Sequence, residues 1–262
     1  MHYSLIDSHC HLDSQYFPDG SEAVLNRAFA AGVCGCVTVG VGSDLQASQF
    51  VIELAARYPG KVAAAVGVHP QDAHCFSDGQ IEETKKLVRS PSCVAVGEVG
   101  LDYYEEANKQ IQKKVFSDFI GLAREVKKPL VIHTRRAAQD TLDLLVSEGA
   151  REVGGVIHCF TEDQEFASRV LDLGFYLSFS GIVTFKNAIS LQQVASWAPL
   201  DRILLETDSP YLAPVPLRGK PCEPSYLIHT AKRVAELKKV DIETIAQATF
   251  LNTQQCFRSI FS

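Results

Sequence analysis

Residues 5 to 13 read LIDSHCHLD, and two imidazoles two positions apart at the end of a short apolar run are half of a metal site. Side chains alternate between the faces of an extended strand, so Asp7, His9 and His11 are expected to project together. An isolated pair of this kind more often sits in a surface turn, so the reading depends on partners elsewhere in the chain. They recur in the same setting: His69 follows VAAAVGV, Glu98 lies in VAVGEV, His133 in PLVIHT, His158 in GVIHCF, and Asp208 follows RILLET. Only His2, His74 and His229 fall outside such places.

Imidazoles and carboxylates converging without a lysine or arginine inside the runs would be left unsatisfied unless a cation joined them. The number of donors suggests two divalent ions. One would take His9, His11, Glu98 and Asp208, the other Glu98, His133 and His158, with Glu98 as bridge and catalytic carboxylate. Ions so held activate a water toward an ester bond. Glu206 shares strand parity with Asp208 and is expected one layer below, orienting a ligand or a water, or serving as a buried structural acid. Histidine with carboxylate suits zinc, manganese, iron or cobalt, and magnesium if few imidazoles engage.

The elements that must position these residues follow from the alternation of apolar runs with helical spacing. Strand-like runs occupy 4–7, 36–41, 62–68, 94–99, 129–134, 155–160, 176–181 and 202–207. Helical patterns occupy 21–31, 45–58, 105–126, 137–148 and 163–173, with two more at 223–238 and 242–257. Eight such units in 262 residues fit an α/β chain folded as one (β/α)8 TIM barrel over residues 1–262. No glycine-rich phosphate loop follows the first run, which argues against a doubly wound sheet. In a barrel the site forms at the strand C-termini, and there His133 and His158 would be neighbours.

A net charge of −6 excludes a chain that coats nucleic acid over its whole surface, so any such contact must be focused. Arg135, Arg136, Lys186, Arg218 and Lys220 follow the site-bearing runs and would ring the mouth with positive charge suited to phosphate. His69, Arg135, Arg218 and Lys220 are the expected substrate contacts. Tyr103, Tyr104, Phe160, Phe185 and Tyr211 lie in the same loops, either to stack on bases or to anchor the loops. The eight cysteines lie in a long chain and partly in strand-like runs, so buried free thiols are expected, and CGC lacks the spacing of a zinc ribbon. With neither a leader nor an apolar span, the expectation is a reduced, cytoplasmic protein with no membrane partner.

The motifs resemble those of the TatD-type metal-dependent deoxyribonucleases and hydrolases of the amidohydrolase-like superfamily. DSHCHLD is similar to that family's opening motif, GVHP to its third-strand motif, GEVGLDYY to its glutamate motif, VIHTR and IHCF to its histidine motifs, and LLETDSPYLAP with the following RGKPCEPSY to its closing signature. The resemblance spans almost the whole chain and implies a (β/α)8 hydrolase with a divalent-metal centre, acting on DNA or another phosphodiester, often from a 3′ end. Gln71 stands where many relatives have a second histidine, Pro221 and Cys222 where a basic residue and asparagine are common, and NTQQCF lacks an arginine usual in that helix. A metal-dependent amidase, deacetylase or lactonase is the alternative, although many of those bridge their ions with a modified lysine where this chain has Glu98. A metal-holding module without turnover is the remote alternative.

Overall fold

The computed structural model describes residues 4–13, 17–42, 44–104, 108–258 and 261. The strands are β1 (Leu5–Cys10), β2 (Val33–Gly40), β3 (Val62–Val66), β4 (Cys93–Asp102), β5 (Leu130–Arg135), β6 (Gly155–Ile157), β7 (Phe175–Phe179) and β8 (Ile203–Leu205). Between and after them lie α1 (Ser21–Ala30), α2 (Gln46–Arg57), α3 (Asp78–Val88), α4 (Lys109–Val126), α5 (Ala138–Ser147), α6 (Gln164–Asp172), α7 (Ile189–Trp197), α8 (Leu227–Lys238) and α9 (Ile242–Cys256). The strands pair in parallel in the order β1 to β8, with a helix in each crossover, which is the (β/α)8 TIM barrel. Among the described residues no helix is long and apolar enough to cross a membrane.

Two apolar clusters follow from strand alternation. One fills the barrel interior with Ile6, Val37, Val39, Ala63, Ala65, Val131, Val156, Tyr176 and Leu204, joined by Phe257 and Phe261 from the C-terminal segment. The other seats the helices on the outer faces of the strands. The parity has a direct consequence for the site: His133, His158 and Glu206 lie two residues beyond Val131, Val156 and Leu204, so each continues an interior column upward.

The register shifts at four places around the barrel, and two of them lie where site residues sit. Between Asp7 and Cys10 the chain advances three residues while its partner advances only from Cys36 to Thr38. Between Gly97 and Val99 it advances two while β5 advances only from Val131 to Ile132. Each is a β-bulge, an extra residue that re-aims the side chains around it. The first overturns the expectation that Asp7 shares a face with both histidines: the Asp7 carboxylate turns to the segment after β8, where it accepts the Thr207 amide at 2.9 Å and the Thr207 hydroxyl at 2.5 Å. The second places Glu98 without a paired residue on β5.

The barrel closes through the backbone of the same segment. The amide of Asp208 donates to His9 O at 3.0 Å, and that of His11 donates to Ser209 O at 2.8 Å. Other differences from the sequence reading are of extent. β4 runs on to Asp102, whereas β6 and β8 are three residues each. The helices α3 and α7 had no counterpart in the periodicity; α3 starts at a capping box formed by Ser77 and Gln80. All eight cysteines are free, but Cys75 is exposed rather than buried.

Gly100 shows how tightly β4 and β5 approach above the bulge. Its φ is 144°, and a Cβ there would lie 2.0 Å from the His133 carbonyl oxygen. Gly100→Ala should therefore cost about 2–3 kcal/mol, read as a lower urea midpoint at unchanged m-value. An unshifted midpoint would show that the two strands separate without penalty.

Candidate metal centre

The side chains at the strand C-termini meet on Glu98, whose two carboxylate oxygens face different neighbours. On one side Oε2 lies 3.5 Å from His9 Nε2, which is 3.2 Å from His11 Nε2 and 3.7 Å from Asp208 Oδ1; His11 Nε2 and Asp208 Oδ1 are 3.6 Å apart. On the other side Oε1 lies 2.8 Å from His133 Nδ1 and 2.7 Å from His158 Nε2, with the two nitrogens 3.3 Å apart. The His9 and His158 rings stack at 3.9 Å between centroids, joining the halves.

Donor atoms held about 2.1 Å from one cation lie about 3.0–3.4 Å from one another in octahedral or tetrahedral arrangement. Both groups come within a few tenths of an ångström of that spacing, and their chemistry, imidazole with carboxylate, suits a divalent transition ion. His11 donates from Nδ1 to Val39 O at 3.2 Å, which leaves its Nε2 lone pair facing the donor group. His133 faces Asp102 Oδ2 through Nε2 at 3.0 Å and so presents Nδ1. The residues fit a metal centre.

Electrostatics follow from the same contacts. Burial opposes charge on Glu98, yet His158, His69 and His133 around it hold its carboxyl well below the usual range. Burial likewise opposes charge on Asp208, and the neighbouring His11, His9 and His158 bring its carboxyl below the ordinary value. His69 is pushed down to about 4 by burial, so it is neutral at pH 7. Its Nδ1 accepts the Gln71 amide at 3.2 Å, which puts its proton on Nε2, 3.6 Å from Glu98 Oε1.

Above the donors opens a cleft of about 740 Å³ lined by His11, His69, Glu98, His133, His158 and Asp208 among others. Glu206 does not reach it. It is fully buried below His158, 3.5 Å from Nδ1, and accepts the Cys159 amide at 2.7 Å, so it can position a ligand but cannot touch a substrate. Of the basic residues, Arg135 lines the cleft; Arg136, Lys186, Arg218 and Lys220 are exposed beyond its lining. The guanidiniums of Arg135 and Arg136 lie 3.6 and 4.7 Å from the Tyr104 ring centre, and that of Arg218 lies 3.7 Å over Phe185. Tyr211 is exposed at the rim, with its ring 6.4 Å from that of His11. Phe160 packs in the core against Phe166 and Phe179, and the Tyr103 hydroxyl donates to Asp140 at 2.7 Å, so these two anchor loops instead of offering stacking faces.

Sequence reasoning missed Asp102, which lies among the cleft residues and touches His133. The signal was present: a carboxylate at a strand end, hidden because the strand was drawn to residue 99 and not to 102.

The barrel and its donor cluster define a class, the metal-dependent hydrolases built on a (β/α)8 frame. Residues 6–258 match the family described as TatD related DNase, and the chain belongs to that family. It is 42% identical to an uncharacterized metal-dependent hydrolase, YabD, of Bacillus subtilis, over 97% of this chain and 99% of the relative. It is 34% identical, over 97% and 99%, to a protein of Edwardsiella piscicida named 3′-5′ ssDNA/RNA exonuclease TatD. Among solved structures, the Escherichia coli TatD homologue YjjV superposes with a TM-score of 0.91 at 30% identity, covering 97% of this chain and 98% of the other.

If the donors are ligands, Mn2+ at about 100 times its Kd should stabilise the fold by about 2.7 kcal/mol, a Tm rise of several degrees. Glu98→Gln should lose most of that rise. An equal rise in the variant, or none in the wild type with Mn2+, Zn2+ or Co2+, would show that these side chains do not hold the ion.

Proposed function

We propose that this protein hydrolyses phosphodiester bonds, with DNA attacked from a 3′ end as its substrate, using two divalent ions bridged by Glu98. The observation that carries this reading is the division of the Glu98 carboxylate, Oε2 toward His9, His11 and Asp208, Oε1 toward His133 and His158. Paired ions of this kind activate a water and neutralise charge on a phosphoryl group in nucleases and phosphatases. No lysine lines the cleft among the described residues, which favours this reading over the lysine-bridged amidases and lactonases. The Edwardsiella relative's name supports the nucleic-acid substrate and the polarity.

The chain's own residues would divide the work. His69 is neutral and fixed as an Nε2–H donor, suited to a phosphate oxygen in the cleft. Arg135 offers a guanidinium at the cleft wall with Tyr104 beneath it, a planar surface for a base beside a contact for its phosphate. Glu206 and the Val39 carbonyl hold His158 and His11 from below. The free thiols fit a reducing compartment such as the cytoplasm.

The direct test is a panel of single-stranded DNA labelled at one end, an aryl phosphodiester and an aryl ester, each with and without chelator. Expected are shortening of the DNA from its 3′ end, dependence on the divalent ion, and loss of turnover in Glu98→Ala. Ester cleavage without DNA cleavage would move the protein to the small-molecule alternative, and tight metal binding without turnover would make it a binding module. For the basic wall, Arg135→Gln should reduce the salt slope of DNA KM by about 1, while Arg218→Gln with Lys220→Gln should change it only if the strand extends beyond the cleft. Parallel slopes for wild type and Arg135→Gln would exclude Arg135 as a phosphate contact.

A further inference from the structure

We propose that Gln71 and Asp102 form a positioning relay that fixes His133 with its Nδ1 lone pair toward Glu98, an inference that rests on reading this cluster as a metal centre. The Nε2 of His133 is 3.0 Å from Asp102 Oδ2, while its Nδ1 is 2.8 Å from Glu98 Oε1. A neutral imidazole carries one proton, and of the two carboxylates facing His133, Glu98 also meets His158 Nε2 at 2.7 Å on the same oxygen, so the proton is assigned to Nε2, toward Asp102. The opposite tautomer would point an N–H at the donor group and remove one ligand.

Asp102 is itself immobilised from four directions. Its Oδ1 accepts the Tyr104 amide at 2.9 Å, and its Oδ2 also accepts Gln71 Nε2 at 3.1 Å. From α4, Gln112 grips its backbone at both polar atoms, taking the amide on Oε1 at 2.9 Å and giving Nε2 to the carbonyl at 3.0 Å. Asp102 and Gln112 are each 2% exposed, so neither has water as a substitute partner. A buried glutamine spent wholly on one backbone unit makes sense if that unit must not move.

Gln71 then sets two rings at once. Its backbone amide gives a hydrogen to His69 Nδ1, and its side chain gives one to the carboxylate that orients His133. An ionised carboxylate only accepts, so the side-chain atom facing Asp102 is the NH2 group. This also decides against the other use of these residues. His69, Asp102 and His133 have donor atoms close enough to hold an ion of their own. But an amide N–H aimed at the shared Asp102 oxygen occupies that lone pair and repels a cation, and His133 has one nitrogen committed to each side.

The experiment uses the full-length wild type with Asp102→Asn and Gln71→Met. Calorimetric titration with Mn2+ measures each ion's affinity, and the nitrogen-15 shifts of His133 report its tautomer independently of any ion. Expected are two ions in the wild type, with one weakened about 10–100-fold in Asp102→Asn and the other unchanged within about twofold. Gln71→Met, which removes no group from the immediate contacts of His133, should weaken the same ion by a smaller factor. His133 should hold its proton on Nε2 in the wild type and lose that preference in Asp102→Asn. Two ions bound equally by all three proteins would overturn the relay while leaving the metal centre intact. A third ion in the wild type, lost in both variants, would overturn it in favour of a ligand role. Should the wild type bind no ion, the metal reading fails, and a wild-type proton on Nδ1 of His133 would then sink the relay by itself.

Discussion

The arrangement depends on one buried carboxylate that must stay ionised. Glu98 is 3% exposed above a barrel interior filled mainly by apolar side chains, where a lone charge would cost several kcal/mol. It persists because imidazoles approach both oxygens, His9 on one and His133 and His158 on the other; His133 is held from behind by Asp102, and Glu206 lies 3.5 Å behind His158. The barrel supplies these supports from different strands and strand ends.

Backbone irregularity is the means by which this is reached. A regular β4 would place Glu98 in a column with a paired neighbour, and a regular β1 would send His9 and Asp7 to the same face. The extra residue in each strand separates them, leaving Asp7 to tie β1 to Thr207 and His9 to face Glu98. The close passage at Gly100 is the counterpart on β4, since only a residue without a side chain lets the His133 carbonyl approach there.

This also explains what could be read in advance. The strand ends bearing His69, His133, His158 and Asp208 were legible because apolar runs stop abruptly at polar residues, and in a parallel barrel every such stop points to one rim. The bulges were not legible, because an inserted residue leaves the apolar pattern almost unchanged and is defined only by its partner strand. Nor was α3, where Glu82, Glu83, Lys85 and Lys86 crowd the segment and only Ile81, Thr84 and Val88 are buried, too sparse a stripe to stand out. Gln112 escaped for a third reason: its role is a contact between a helix and the end of a strand, and the residue alone carries no signal of it.

The seam between β1 and the segment after β8 gives the two halves of the centre different histories. Glu98, His133 and His158 come from consecutive strands in the middle of the chain, and β4, β5 and β6 pair with one another in sequence order. The other half waits for residues such as Asp7 and Thr207, 200 positions apart, to meet. On a ribosome, which delivers the chain from its N-terminus, the first half can assemble while the second has only His9 and His11. The group of side chains around Glu98 therefore stays incomplete until the last strand emerges, and closing the barrel and completing that group are the same event.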